Sequence, residues 1–192
     1  SIIFINILEL SIQSYIVYPF RKSTKEIKSY PEDIIQNDLE ITMEIGTPSQ
    51  KIDLNLRSKV YPFFLSSSDL NLPYTAYNEY ISKSFIKLSK NPVNFQKQEF
   101  SKGYKIFESI TINEKLINNI TLVLAIELVY NESGALGLRP IKSNELAGNL
   151  SFIYQVKKKA NLDNYAFTIK YDDNSDEKGV LIIGSYPHLY DD

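Results

Sequence analysis

Cysteine is absent from the 192 residues, and histidine occurs once. Without cysteine there is no disulfide framework, no thiolate zinc site and no Cys nucleophile, and one His cannot build a multi-His metal site. A positive excess is missing too. Twenty-one Lys and Arg stand against 23 Asp and Glu, a net charge of −2, so recognition of nucleic acid through a basic face is not expected. The one run that could enter a membrane, Ile2–Leu10, is interrupted by Glu9 and falls short of the ~20 apolar residues that a stable helical span needs. Carboxylate chemistry survives these exclusions: acid–base catalysis, or Ca²⁺ or Mg²⁺ held by oxygen ligands. Nothing calls for a cofactor. With 43% hydrophobic and 23% charged residues, the chain can bury a core. Its length fits one domain, alone or behind a leader.

Residues 1–36 read as a signal-like leader followed by a short pro-segment or linker, and residues 37–192 as the folded unit. Ile2–Leu10 resembles the apolar part of a secretory signal. The first residue is Ser and no basic stretch precedes the run, as if the start were missing; the alternative is an N-terminal amphipathic helix or strand. Pro19 and Pro31 bound a charged stretch with linker texture. Three N-x-[ST] sequons, at Asn119, Asn131 and Asn149, are candidate glycan acceptors. Together they suit a secreted glycoprotein, or one of an endomembrane or lysosome-like compartment.

From Asp38 the texture changes to strands. Leu39–Ile45 alternates apolar and polar residues, and Ile52–Leu56 does so again after Gly46-Thr47-Pro48. The pair predicts an antiparallel hairpin. Val60–Leu65, Val93–Phe95, Tyr104–Ile112, Thr121–Val129, Tyr165–Tyr171 and Val180–Ile183 read as further strands. Tyr77–Lys87 could hold a short helix. Asn149–Lys158 is the best helix, with three lysines at a C-terminus whose dipole favours them. The fold class is mostly β with one or two short helices. Two other chemical readings are weak. His188, near Asp191 and Asp192, has no G-x-S-x-G context for a Ser-His-Asp set. Asp172–Glu177 lacks EF-hand spacing and a Gly at its sixth position, and reads as a solvated turn.

Three segments in order carry a resemblance: Ile45-Gly46-Thr47-Pro48-Ser49-Gln50, then Gly134-Ala135-Leu136-Gly137-Leu138, then Phe167 with Gly179-x-Leu181-x-Ile183-Gly184. They resemble the N-terminal lobe of the pepsin-like aspartic peptidases (peptidase family A1), over about residues 37–190. That family has I-G-T-P-x-Q before the strand entering its catalytic D-T-G loop, G-I-L-G-L further on, and a closing hairpin. The resemblance implies a single β-barrel-like lobe of an acid protease. It also implies proteolysis by two carboxylates, one from each lobe, sharing a proton over a water.

At the decisive position the sequence departs from that pattern. Counting from I-G-T-P puts Arg57 where the family has its catalytic Asp, and the loop reads Arg57-Ser58-Lys59; no D-[ST]-G occurs in the chain. A guanidinium stays protonated at physiological pH and offers donors only, so it cannot serve as the base. Two roles remain open for Arg57: a relic with its head reaching solvent, or a recruited anion binder. Gln96 falls at the Tyr position of the family's flap, and Lys97-Gln98-Glu99 follow it instead of small residues. Gly134 and Gly137 keep the close packing that the family's crossing loop needs. The expectation is therefore a pseudoenzyme of the hydrolase family. Its cleft candidates are Arg57, Ser58 and Gln96, it has no catalytic residue and no metal, and a peptide or protein partner lies in the former cleft. A second lobe or subunit would be missing from these residues. The alternatives are a fragment of an active endopeptidase, with Asp53 the first carboxylate to test, and a structural subunit. Arg57 is expected at the tip of a loop beside Gly137, its head accessible or paired with a carboxylate.

Overall fold

A computed structural model describes residues 15–22, 39–58, 62–95, 100–129, 132–139 and 150–184. Its strands are β1 (Ile16–Lys22), β2 (Leu39–Ile45), β3 (Gln50–Arg57), β4 (Phe64–Ser66), β5 (Ile86–Lys87), β6 (Val93–Asn94), β7 (Phe100–Ile112), β8 (Lys115–Leu128), β9 (Gly134–Gly137), β10 (Phe167–Asp172) and β11 (Ser175–Ile183). One helix, α1 (Phe152–Ala160), follows β9, and a 3-10 turn occupies Ser68–Leu70. The fold is mostly β, as the alternating runs predict.

The predicted hairpin forms. Ile41 pairs with Leu54 and Met43 with Ile52, and these residues, with Leu39, Ile45 and Leu56, are buried. Strand alternation sends every second residue inward, which is why these strands were legible. Gly46 turns the chain at φ +90°, a backbone that side chains rarely adopt. The strand order β2–β3–β9–β4–β8–β7 then returns to β2 through Glu44↔Thr111 and Ile45↔Ile110. The pairings close on themselves, and closure removes the open edges that a sheet would expose. β11 and β10 extend the sheet outward from β1.

β7 and β8 are the longest pair. Asn113 and Glu114, both at positive φ, make the two-residue turn that matches strand twist. One cluster of buried apolar side chains, including Met43, Leu54, Ile110, Leu136 and Phe152, fills the interior. A second cluster packs Phe64, Phe100, Val123, Ala125, Ala135 and Leu150 together.

Three expectations need correction. Residues 16–22 do not belong to a leader or linker: they form β1, which pairs with β11 from Ile16↔Ile183 to Arg21↔Lys178 and with β2 from Phe20 to Lys22. Ile16, Tyr18 and Phe20 alternate into the core. Pro19 is tolerated because pairing with β2 begins only at Phe20, so its missing N–H has no second ladder to break. Tyr77–Lys87 is not helical, because the sheet takes its backbone groups. The Tyr77 N–H donates to Ser66 O (3.0 Å), the Tyr77 carbonyl accepts from Ser68 N–H (2.9 Å), and Lys83 N–H donates to Thr47 O (2.7 Å). The β10–β11 turn is shorter than Asp172–Gly179, since Ser175 already pairs with Asp172.

The helix exists but starts later than expected, after Ser151, and ends at Asn161 in the left-handed conformation. Gln155 fastens it to β8: Thr121 N–H donates to Gln155 Oε1 (2.6 Å), and Gln155 Nε2 donates to Thr121 O (2.7 Å).

Candidate functional site

β9 lies between β3 and β4, parallel to the first and antiparallel to the second. The register sets Asn55 beside Ala135, Leu56 beside Leu136 and Arg57 beside Gly137. Leu138 N–H donates to the Arg57 carbonyl at 2.8 Å. Gly134 is required by proximity, since a Cβ there would stand 2.5 Å from the Phe64 carbonyl oxygen and 2.8 Å from Leu54 Cδ2. The G-A-L-G segment is thus inserted between β3, which ends at Arg57, and β4.

Arg57 does not sit at a loop tip. It is the last residue of β3, on the face that carries the exposed Lys51 and Asp53, yet only 8% of it is exposed. Its Nη2 meets Glu132 Oε2 at 2.6 Å, and Asn55 Nδ2 donates to the same oxygen at 2.8 Å. Glu132 is itself only 6% exposed. Its backbone carbonyl accepts from the Ser66 hydroxyl, and Ser66 N–H donates to Ser133 O at 2.8 Å, so the backbone at Glu132 is tied to β4 while its carboxylate is tied to β3. Close by, the Tyr74 hydroxyl is pushed above its ordinary pKa, first by burial and then by the Glu132 charge.

The pair has a definite chemical meaning. A buried carboxylate that loses its cation is costly, and a buried guanidinium without a carboxylate is equally so. The guanidinium accepts no proton, and the carboxylate oxygen facing it, Glu132 Oε2, already takes two donors.

The remaining candidates scatter. Ser58 follows Arg57 and is half-buried. Asp53 is engaged on the outer face, where its carboxylate accepts from Thr42 Oγ1 (2.6 Å) and Arg21 Nη2 (2.9 Å). Four residues of strand separate it from Arg57, about 13 Å at the usual rise, so it does not reach the pair. Asn119 is exposed on β8 at φ +57°. Gln96, Asn131, Asn149 and His188 lie outside the described residues. Among the described residues no cluster of His, Asp or Glu is suited to a metal ion, and no helix is long and apolar enough to cross a membrane.

A second buried carboxylate, Glu108 on β7, escaped the sequence reading. It accepts from the Tyr77 hydroxyl, the Ser84 hydroxyl and the Ser109 N–H (2.7 Å). Ser84 also bonds Thr47 Oγ1 (3.1 Å), and Thr47 N–H donates to Ser82 Oγ (3.1 Å). This network ties the G-T-P turn to the irregular segment at 77–84. Burial, followed by the bond to Glu108, pushes the Tyr77 hydroxyl far above its ordinary pKa.

Comparison of the chain with models of protein families finds no match, and comparison with curated proteins finds none.

Proposed function

We propose that this chain is a catalytically inactive homologue of the pepsin-like aspartic endopeptidases, a pseudoenzyme lobe whose former cleft binds an extended peptide or a protein partner. One observation carries the reading. The residue at the expected catalytic position is Arg57, set beside the G-A-L-G strand by register, and its charge is matched within the chain by Glu132. The closed barrel and the insertion of β9 between β3 and β4 support the lobe assignment. The buried pair supports the loss of chemistry, because a guanidinium cannot act as the base and the carboxylate oxygen that faces it is taken by two donors. The same reading expects a secreted or endomembrane protein with a glycan on Asn119.

The purified chain, incubated with a pool of unstructured peptides between pH 3 and 6, is expected to produce no fragments that a transition-state-mimicking inhibitor of aspartic peptidases suppresses. Arg57→Asp combined with Lys59→Gly rebuilds one D-S-G loop and is still expected to be inactive, since the family's dyad takes its second carboxylate from another lobe. Inhibitor-sensitive cleavage by the unaltered chain would sink the proposal.

A further inference from the structure

A groove of about 520 Å³ runs between α1 and the β7–β8 pair. It shares no residue with the Arg57–Glu132 cluster. Its wall includes Phe107 and Thr121 from the strands and Tyr154 from the helix. Three lysines border it, Lys105 from β7 with Lys158 and Lys159 from the last turn of α1, and none of its described lining residues is acidic.

Helix geometry explains only part of this charge. Basic residues favour a helix C-terminus, Lys158 Nζ stands 4.4 Å over the Tyr154 ring, and Lys159 Nζ donates to Asn118 O at 3.0 Å. Lys105 belongs to a strand, has no such dipole to answer, and is half-buried at the groove. Phe107 is left half-exposed where a folded chain would normally cover an aromatic ring. The Gln155 clamp on Thr121 holds the wall in place, so the site is formed before any ligand arrives. Three lysines on the rim of one groove, with no acidic residue in its described lining, attract an anion, and a half-buried aromatic wall favours a flat apolar body.

We propose that this groove binds a small organic anion, an acidic head carried on an aromatic body. The head lies among Lys105, Lys158 and Lys159, and the ring packs on Phe107 and Tyr154. The volume falls in the range of ordinary small-molecule sites, roughly 300–1,000 Å³.

The test titrates the intact chain with 1-naphthalenesulfonate, followed by calorimetry and by amide chemical shifts, with 1-naphthol and inorganic sulfate as controls. Saturable binding is expected, with shifts at residues 105–107, 119–121 and 154–159, and weaker binding of both controls. Lys105→Gln is expected to weaken binding about tenfold, the loss of one charge-assisted contact, whereas Lys105→Arg stays within about twofold. Both variants are expected to melt as the parent does. Absence of saturable binding, equal binding of 1-naphthol, or indifference to Lys105→Gln would each overturn the proposal.

Discussion

Two carboxylates are buried among the described residues, and they meet opposite kinds of donor. Glu132 meets a guanidinium and an amide at the end of β3. Glu108 meets two hydroxyls and a backbone N–H between β7 and the 77–84 segment, with no cation bonded to it among the described residues. The first arrangement matches a charge with a charge, so either partner alone becomes a liability. The second surrounds a charge with neutral dipoles, each of which carries only a share. Burial alone therefore does not tell what a carboxylate is for: its donors do. Near the candidate site the donors include the guanidinium of Arg57.

The comparison breaks most sharply at Arg57. Arg57→Met strands Glu132 without its cation and is expected to cost about 3–5 kcal/mol in urea denaturation. A loss under about 1 kcal/mol would mean that the pair is solvated and the contrast false. Tyr77→Phe removes one of several donors from Glu108 and is expected to cost less, about 1.5–3 kcal/mol for a hydrogen bond to a charged group. If it cost more than Arg57→Met, the neutral network would be the tighter of the two.

Smaller still is an alkaline effect that belongs to the Glu108 side. The Tyr77 hydroxyl is held above its ordinary value by burial and by Glu108, and the Tyr18 hydroxyl by burial. The folded state then retains protons that the unfolded chain releases, so stability is fully present below the unfolded tyrosine pKa and falls as pH rises above it. Each tyrosine contributes a slope of about 1.4 kcal/mol per pH unit above pH ~10. Tyr77→Phe should reduce that slope by one tyrosine's share. Melting curves at a series of pH values between 9 and 11 read the difference.

The parts of the fold that alternate strictly were open to reading from sequence. Leu39–Ile45 and Ile52–Leu56 show period two without interruption, and they pair as expected. β1 has the same period in Ile16, Tyr18 and Phe20, but Pro19 and the neighbouring basic residues disguised it as linker. At the candidate site, the neighbourhood of Arg57 and Gly137 followed from the family resemblance, whereas the partner did not. Glu132 sits inside Asn131-Glu132-Ser133, which reads as a surface sequon. Only its place two residues before Gly134, on a strand parallel to β3, hints that it faces Arg57. Asn55 and Tyr74 carry no local signal, since pairing across the sheet brings them near. The Glu108 network was hidden for the same reason: its hydroxyl donors come from residues 77–84, a stretch read as able to hold a short helix although its periodicity is poor.

The central claim, that Arg57 is matched by Glu132 rather than available for chemistry or for a ligand, is tested most directly by a double-mutant cycle. Arg57→Met, Glu132→Leu and the double variant are compared by denaturant unfolding at pH 7 and in 1 M salt. The account predicts that each single change is strongly destabilising, that the double variant recovers most of the loss, and that the coupling energy of about 2 kcal/mol or more persists in salt, because buried pairs are screened little. Additive losses, or coupling that vanishes in 1 M salt, would contradict it.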